Sequence, residues 1–407
     1  VHWNSTGLKI AAALGIATGS AYGQIDPDHR QLVQLGYNQT LVGQSPISGY
    51  AFYYYNDPGF LRTNITLRLA VAPVYVDSEL GFRNALGENT DLGIGAAGGG
   101  YANSYFEMRR GHYLREESFT GHGAEVSGSV YHLFNPGMLI PLSGVFRVSP
   151  RYSVYERDDT TASRFVLPDD RAGLNTRAGL RYGGSEPVLT PELGLEVSVW
   201  YENQLRQNPE TYGYNDRDVK EVSHLFWART MFVYTFPESK QSIGLSLTAG
   251  SSMDADRFSA YRLGGDLPLS SEFPLILPGY YYQEISARQF VNLVGQYSLP
   301  ITPSKRWSLT TIGAVADVDY LPGLEQPGCV HSGVGLGLNY KSPSGAFNFL
   351  AGYGYGFQAI RSNGRGGHSI GIFCQIDLEA YHKNSVKLHS EAGNESNGLT
   401  RFLGRLF

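Results

Sequence analysis

The feature that most constrains this chain is an alternation of apolar and polar residues with a period of two, repeated along most of its length. In 193–202, Leu193, Leu195, Val197, Val199 and Tyr201 fall on one face, and Gly194, Glu196, Ser198, Trp200 and Glu202 on the other. In 174–182, Leu174, Thr176, Ala178, Leu180 and Tyr182 oppose Asn175, Arg177, Gly179 and Arg181. The same pattern recurs in 243–249, 334–340 and 370–378. A soluble sandwich also alternates, but its strands average about 5–6 residues. Here 63–77, 90–107, 142–157 and 283–301 each read as one run of more than ten residues. Strands of that length are what a tilted wall needs to cross a bilayer. The pattern therefore predicts an all-β fold, a transmembrane antiparallel β-barrel. Aromatic residues gather at segment ends, as in Tyr50 and Phe52 to Tyr55, Tyr280 to Tyr282, and Tyr353, Tyr355 and Phe357, which suits interfacial girdles.

Composition removes the competing classes. No run of 18 apolar residues follows the N-terminal segment, which excludes a helical membrane protein. The 50 Gly and 28 Tyr against 4 Met suit strands, bends and membrane interfaces rather than helices. A net charge of -5 leaves no nucleic-acid footprint. Ten or eleven strands precede residue 262, depending on whether Pro73 splits its segment. Five more follow, at 281–301, 306–320, 329–341, 346–359 and 367–380. Single-chain bacterial barrels have even strand numbers, so 16 is expected. The longer polar loops, such as 156–171 and 204–221, are expected to face outward.

The first residues read as a targeting segment. A short charged start precedes the apolar run 10–19, and small residues lead to a cleavage site after Gly23. The expected organisation is a signal peptide over 1–23, an outer-membrane barrel over 24–383 and a tail over 384–407 that leaves the alternating pattern. The chain is thus expected in the outer membrane of a Gram-negative-type cell, against lipids and lipopolysaccharide. Its two cysteines, Cys329 and Cys374, provide no disulfide framework, and Cys374 falls on the lipid face.

Residues 257–301 carry a more specific signal. A Tyr-Arg-Leu-Gly-Gly segment, with Arg262, Gly264 and Gly265, precedes a long insertion, and a strand with Arg-Gln-Phe then ends in Tyr-Ser-Leu-Pro-Ile. This resembles the Omp85 superfamily: the barrel-assembly (BamA/TamA-like) proteins, their translocation relatives and the surface-antigen type barrel domain. The resemblance covers 257–380 and implies that the insertion folds back into the lumen, with five strands after it. The family's loop carries an Arg-Gly-aromatic tip whose arginine pairs with an acid on the wall. Here 269–273 reads Leu-Ser-Ser-Glu-Phe, closer to the degenerate tip of barrels fused to patatin-type lipases. Only a handful of residues separate Gln24 from the first strand near Arg30, so the periplasmic POTRA domains of the family are expected to be missing. The resemblance implies a transport, translocation or assembly-type role, with a periplasmic partner supplying the missing part. The alternative is a passive diffusion porin or a structural sheath for another envelope complex.

Several side chains are candidates for that role. Arg68, Arg177 and Arg181 lie on polar faces, where they form either an electropositive lumen wall or ion pairs with Glu125, Glu196 and loop carboxylates. Glu272, beside Phe273, is expected to reach one of these arginines, the reverse of the family's polarity. Asp158, Asp159, Asp169 and Asp170 lack the spacing of a calcium loop, and His112 and His122 lack the pairing of a zinc helix, so no metal is expected. The run 98–100 reads as a wall kink or a place where the inner loop packs. No nucleophile elbow, phosphate loop or haem motif appears, so neither an enzyme nor a cofactor is expected.

Overall fold

The computed structural model describes residues 28–46, 48–185, 191–268 and 271–383. The signal segment 1–23 and the tail 384–407 lie outside the described residues. In chain order the strands are β1 (Arg30–Thr40), β2 (Ser48–Pro58), β3 (Ile65–Ala72), β4 (Tyr75–Phe82), β5 (Thr90–Gly99), β6 (Tyr105–Arg109) and β7 (His112–Leu133). They continue with β8 (Leu142–Glu156), β9 (Arg171–Ser185), β10 (Leu193–Arg206), β11 (Thr211–Tyr212), β12 (Arg217–Asp218), β13 (Val222–Thr235) and β14 (Ser242–Met253). The last are β15 (Tyr261–Leu263), β16 (Ile285–Pro300), β17 (Trp307–Tyr320), β18 (Val330–Lys341), β19 (Phe347–Arg361) and β20 (Gly364–Asp377).

Sixteen of these form the wall, each antiparallel to its neighbours, and β1 pairs with β20 from Leu32↔Asp377 to Thr40↔Ser369 to close it. The barrel has no free edge, so every strand finds two partners. β6, β11, β12 and β15 are short additions outside the wall.

Burial is inverted relative to a soluble protein. On β10 the apolar Leu193, Val197 and Val199 are 63%, 47% and 51% exposed, while Glu196 and Ser198 between them are 2% and 1% exposed. Leu245, Leu293, Val334 and Ile372 repeat the outward pattern on other strands. Apolar side chains that gain nothing from a protein core are suited to hydrocarbon, and the polar ones must satisfy each other inside. Cys329 and Cys374 are both free, and Cys374 lies among the outward residues.

Two expected long strands are in fact pairs. Segment 63–77 is broken between β3 and β4 by a tight turn at Pro73 and Val74. Proline lacks the N–H needed to continue a central ladder, so eleven wall strands precede residue 262. Segment 90–107 leaves the wall after Gly99, turns through Tyr101 (φ 63°) and then forms β6 beyond the wall. The glycines at 98 and 99 allow neighbouring wall strands to approach, since a Cβ on Gly99 would stand 2.0 Å from the Val74 carbonyl oxygen. They do not pack against the insertion, as one expectation had it.

The two ends of the barrel differ. Both ends of the described chain lie at one end, with connections such as 301–306 and 342–346. At the other, 99–119, 157–170, 207–221 and 254–260 fold together as a lid. Phe165 and Tyr212 (both 0% exposed), Phe119 and Tyr105 form its core. Arg217, also fully buried, is held by Glu117, with Glu107 3.7 Å away. Arg257 reaches Glu107 at 3.1 Å, and Arg109 bridges Glu107 and Glu117 at 2.8 and 2.5 Å. Burial alone would raise the Glu107 carboxyl, but Arg217 and Arg257, with the Tyr105 hydroxyl and Arg109, bring it down to about 2.

Candidate functional site

The site is built from three adjacent wall strands and the segment 264–284. In the β9–β10–β13 register, Arg181, Ser198 and Arg229 form one row, Gly179, Trp200 and Trp227 the next, and Arg177 stands beside Glu202 in the one after. All point to the buried polar face. Gly179 makes room for an indole, since a Cβ there would lie 2.2 Å from the Trp200 ring. Trp200 and Trp227 stack with their planes 10° apart.

Phe273 docks edge-on against both indoles, at 5.6 and 5.9 Å between centroids. The Arg229 guanidinium lies 4.7 Å from the Phe273 ring centre, a cation–π contact. The same arginine is bidentate to Glu196 (3.1 and 2.6 Å) and donates to the Glu272 carbonyl at 3.0 Å. The Glu272 carboxylate accepts from Arg181 and, at 3.5 Å, from Arg177, which also pairs with Glu202 at 2.9 Å. Arg181 keeps Glu196 at 3.7 Å as a second acid. Arg181 and Arg229 thus flank the Phe273 ring, and with Arg177 they form a cluster of three arginines and three glutamates around the segment's tip.

The rest of the segment is fixed at its two ends. Gly264 and Gly265 adopt φ values of 133° and 84°, which side chains rarely take, and a Cβ on Gly264 would sit 2.2 Å from the Tyr281 carbonyl oxygen. Across this turn Gly264 N–H donates to Leu275 and Leu277 N–H to Gly265. Asp266 accepts from Asn38 on β1 (2.7 Å) and Ser369 on β20 (2.5 Å), so it ties the segment to the closing seam. Pro278 and Gly279 lie against Gly333, Gly354 and Gly367 on the wall, where any side chain would collide with them. Glu284 forms a bidentate pair with Arg361, both bonds 2.9 Å and both side chains fully buried. Tyr281 stacks 3.8 Å over that guanidinium.

Of the residues singled out by sequence, Arg177, Arg181, Glu196, Glu272 and Phe273 come together here. Gly264 and Gly265 shape the turn leading in. Arg262 points instead toward the lid, with its guanidinium 4.6 Å from the Tyr105 ring. Arg68 belongs to a separate cluster with Asp77 (3.6 Å), beside Glu79, Arg147 and Tyr131. Glu125, expected as an arginine partner, makes no ion pair among the described residues; it stands opposite Arg151 in the β7–β8 register. Its place is taken by Glu202 and Asp77. His112 is exposed at the start of β7, and His122 lies within that strand, 3.5 Å from Glu156. Asp170 accepts the Tyr155 N–H as a turn residue. Among the described residues no group of three or more His, Cys, Asp or Glu is placed to hold a metal.

Sequence reasoning missed Trp227 and Arg229 because 222–235 is apolar on both faces in places, with Phe226 and Phe232 outward and Trp227 and Met231 inward. Glu284 and Arg361, 77 residues apart, carried no local signal.

No protein-family model matches the sequence, and no curated protein does. Solved structures do share its fold. CdiB from Escherichia coli is 12% identical, with a TM-score of 0.57 over 86% of this chain and 63% of that one. CdiB from Acinetobacter baumannii is 12% identical, with a TM-score of 0.55 over 86% of this chain and 60% of that one. BamA from Haemophilus ducreyi, lacking POTRA domains 1–3, is 11% identical, with a TM-score of 0.52 over 86% and 71%. The chain spans about three-fifths of the length of the CdiB structures. At such identities the likeness is one of fold: a 16-stranded outer-membrane-type β-barrel of the BamA kind.

Proposed function

We propose that this protein is an outer-membrane barrel held shut at rest, with residues 264–284 as a plug in its lumen and the lid as a second closure. Its role is of the transport, translocation or assembly type implied by the Omp85 resemblance, in concert with a periplasmic partner. The outward apolar belt faces lipid, and the lid end faces away from the side on which that partner acts. The observation that carries this reading is the latch at Glu272 and Phe273. A passive pore needs no aromatic ring caged by two arginines and two tryptophans at the end of a long insertion. A latch of paired charges holds one state firmly yet has a discrete alternative, because its arginines keep wall carboxylates when the segment leaves.

Planar-bilayer recording of the purified full chain tests this. The expected result is a small, flickering conductance that becomes large and steady when 266–279 are deleted. A large, steady, ion-selective conductance from the intact chain would refute the plug and identify a diffusion porin.

A further inference from the structure

Between the lid and the infolded segment lies a chamber of about 450 Å³, a size typical of small-molecule sites. Three arginines line it, Arg151, Arg257 and Arg262, and no aspartate or glutamate does. Elsewhere in the interior, guanidinium groups are matched with carboxylates: Arg147 with Glu79, Arg206 with Asp256, Arg229 with Glu196, Arg361 with Glu284. Arg257 follows that rule through Glu107 at 3.1 Å. The other two do not. Among the described residues Arg262 donates only to the backbone carbonyls of Phe106 (3.4 Å) and Arg257 (3.1 Å). Arg151, on β8, has no carboxylate within 4 Å among the described residues, and Glu125, its neighbour in register, does not line the chamber.

We infer that the chamber binds a small solute bearing a phosphate monoester, with Arg151 and Arg262 as its recognition pair. Two guanidinium groups with no carboxylate in contact, in a partly buried space, favour an anion that can engage both; a phosphate monoester carries about -1.5 to -2 at neutral pH, whereas one carboxylate balances only one of them. The planar guanidinium fork fits phosphate oxygens in pairs. Tyr101, Tyr155 and Tyr282 supply ring walls for the organic part of the ligand. This inference stands on the chamber's own charge imbalance, independently of whether the plug moves.

The test is calorimetric titration of the purified full chain in detergent with glycerol 3-phosphate, at matched ionic strength, with acetate as the carboxylate comparison. Saturable binding is expected, weaker for acetate. The double variant Arg151→Gln/Arg262→Gln is expected to lose at least about tenfold in affinity, and Arg262→Lys, which keeps the charge but not the fork, to fall between. Arg288→Gln, on an exposed pair with Asp319, is expected to bind as the unaltered protein does. Heat-modifiable gel mobility verifies that each variant is a folded barrel. Phosphate from a lipid headgroup is separated from a soluble ester by vesicles of phosphatidylcholine with phosphatidic acid. Mutual displacement of the two ligands supports one shared site. Binding of the vesicles alone, no saturable binding of the ester by the unaltered protein, or equal binding by the double variant would each overturn the inference.

Discussion

Replacing Glu272 by glutamine is the sharpest perturbation of the latch. It removes one charge and keeps the shape of the side chain and the Phe273 contacts. Glu272 is 6% exposed and bonds to Arg181, itself 5% exposed, and to Arg177. Removing one partner of a buried ion pair costs about 3–5 kcal/mol. Arg181 retains Glu196 at 3.7 Å and Arg177 retains Glu202 at 2.9 Å, so neither is left wholly uncompensated and the lower end, about 3 kcal/mol, applies. If the infolded segment moves as a unit, that cost falls on its docked state alone. At about 1.4 kcal/mol per decade, the undocked population rises roughly a hundredfold. Single-channel recording reads this as open time. Heat-modifiable mobility, which reports the wall, should be unchanged, because no strand-to-strand hydrogen bond is touched. An open time within about threefold of the original, in a barrel that does open on deletion of 266–279, would refute the latch.

Four further outcomes follow from the same geometry. Breaking the fully buried Glu284–Arg361 pair by Glu284→Gln should destabilise the barrel by about 3 kcal/mol or more, seen as a lower temperature for the gel-mobility transition. Gly333→Ala, whose Cβ would stand 2.2 Å from the Pro278 carbonyl oxygen, should cost about 1–3 kcal/mol in the same assay, whereas Gly295→Ala, with nothing within 4 Å, should cost little. Val199→Arg on the outward face should weaken folding into lipid vesicles by about 2–4 kcal/mol if that face meets the bilayer midplane. For the lid, the Glu107 carboxyl lies below its unfolded value, so its stabilisation is present above pH ~4.5 and is lost as pH falls toward about 2; hydrogen exchange in 105–119 should lose protection over that window.

The alternation in 193–202 and 174–182 was enough to fix the wall, because a period of two leaves each side chain only two faces and lipid accepts only one kind. It placed Arg177, Arg181 and Glu196 inward, and the Gly264–Gly265 pair marked the turn into the segment whose Glu272 and Phe273 meet them. Pro73 was visible as a candidate break, but the strand boundary at Gly99 depended on close contact with the neighbouring strand, which period alone does not show. Partners were beyond its reach as well. Glu125 and Glu202 are both inward glutamates in the sequence, yet only Glu202 stands directly across from Arg177 in the β9–β10 register. Phe273 meets Trp200 and Trp227, and Glu284 meets Arg361, only once the closed barrel brings distant strands around one segment. Local pattern decides which way a side chain points. Register and closure decide what it meets there.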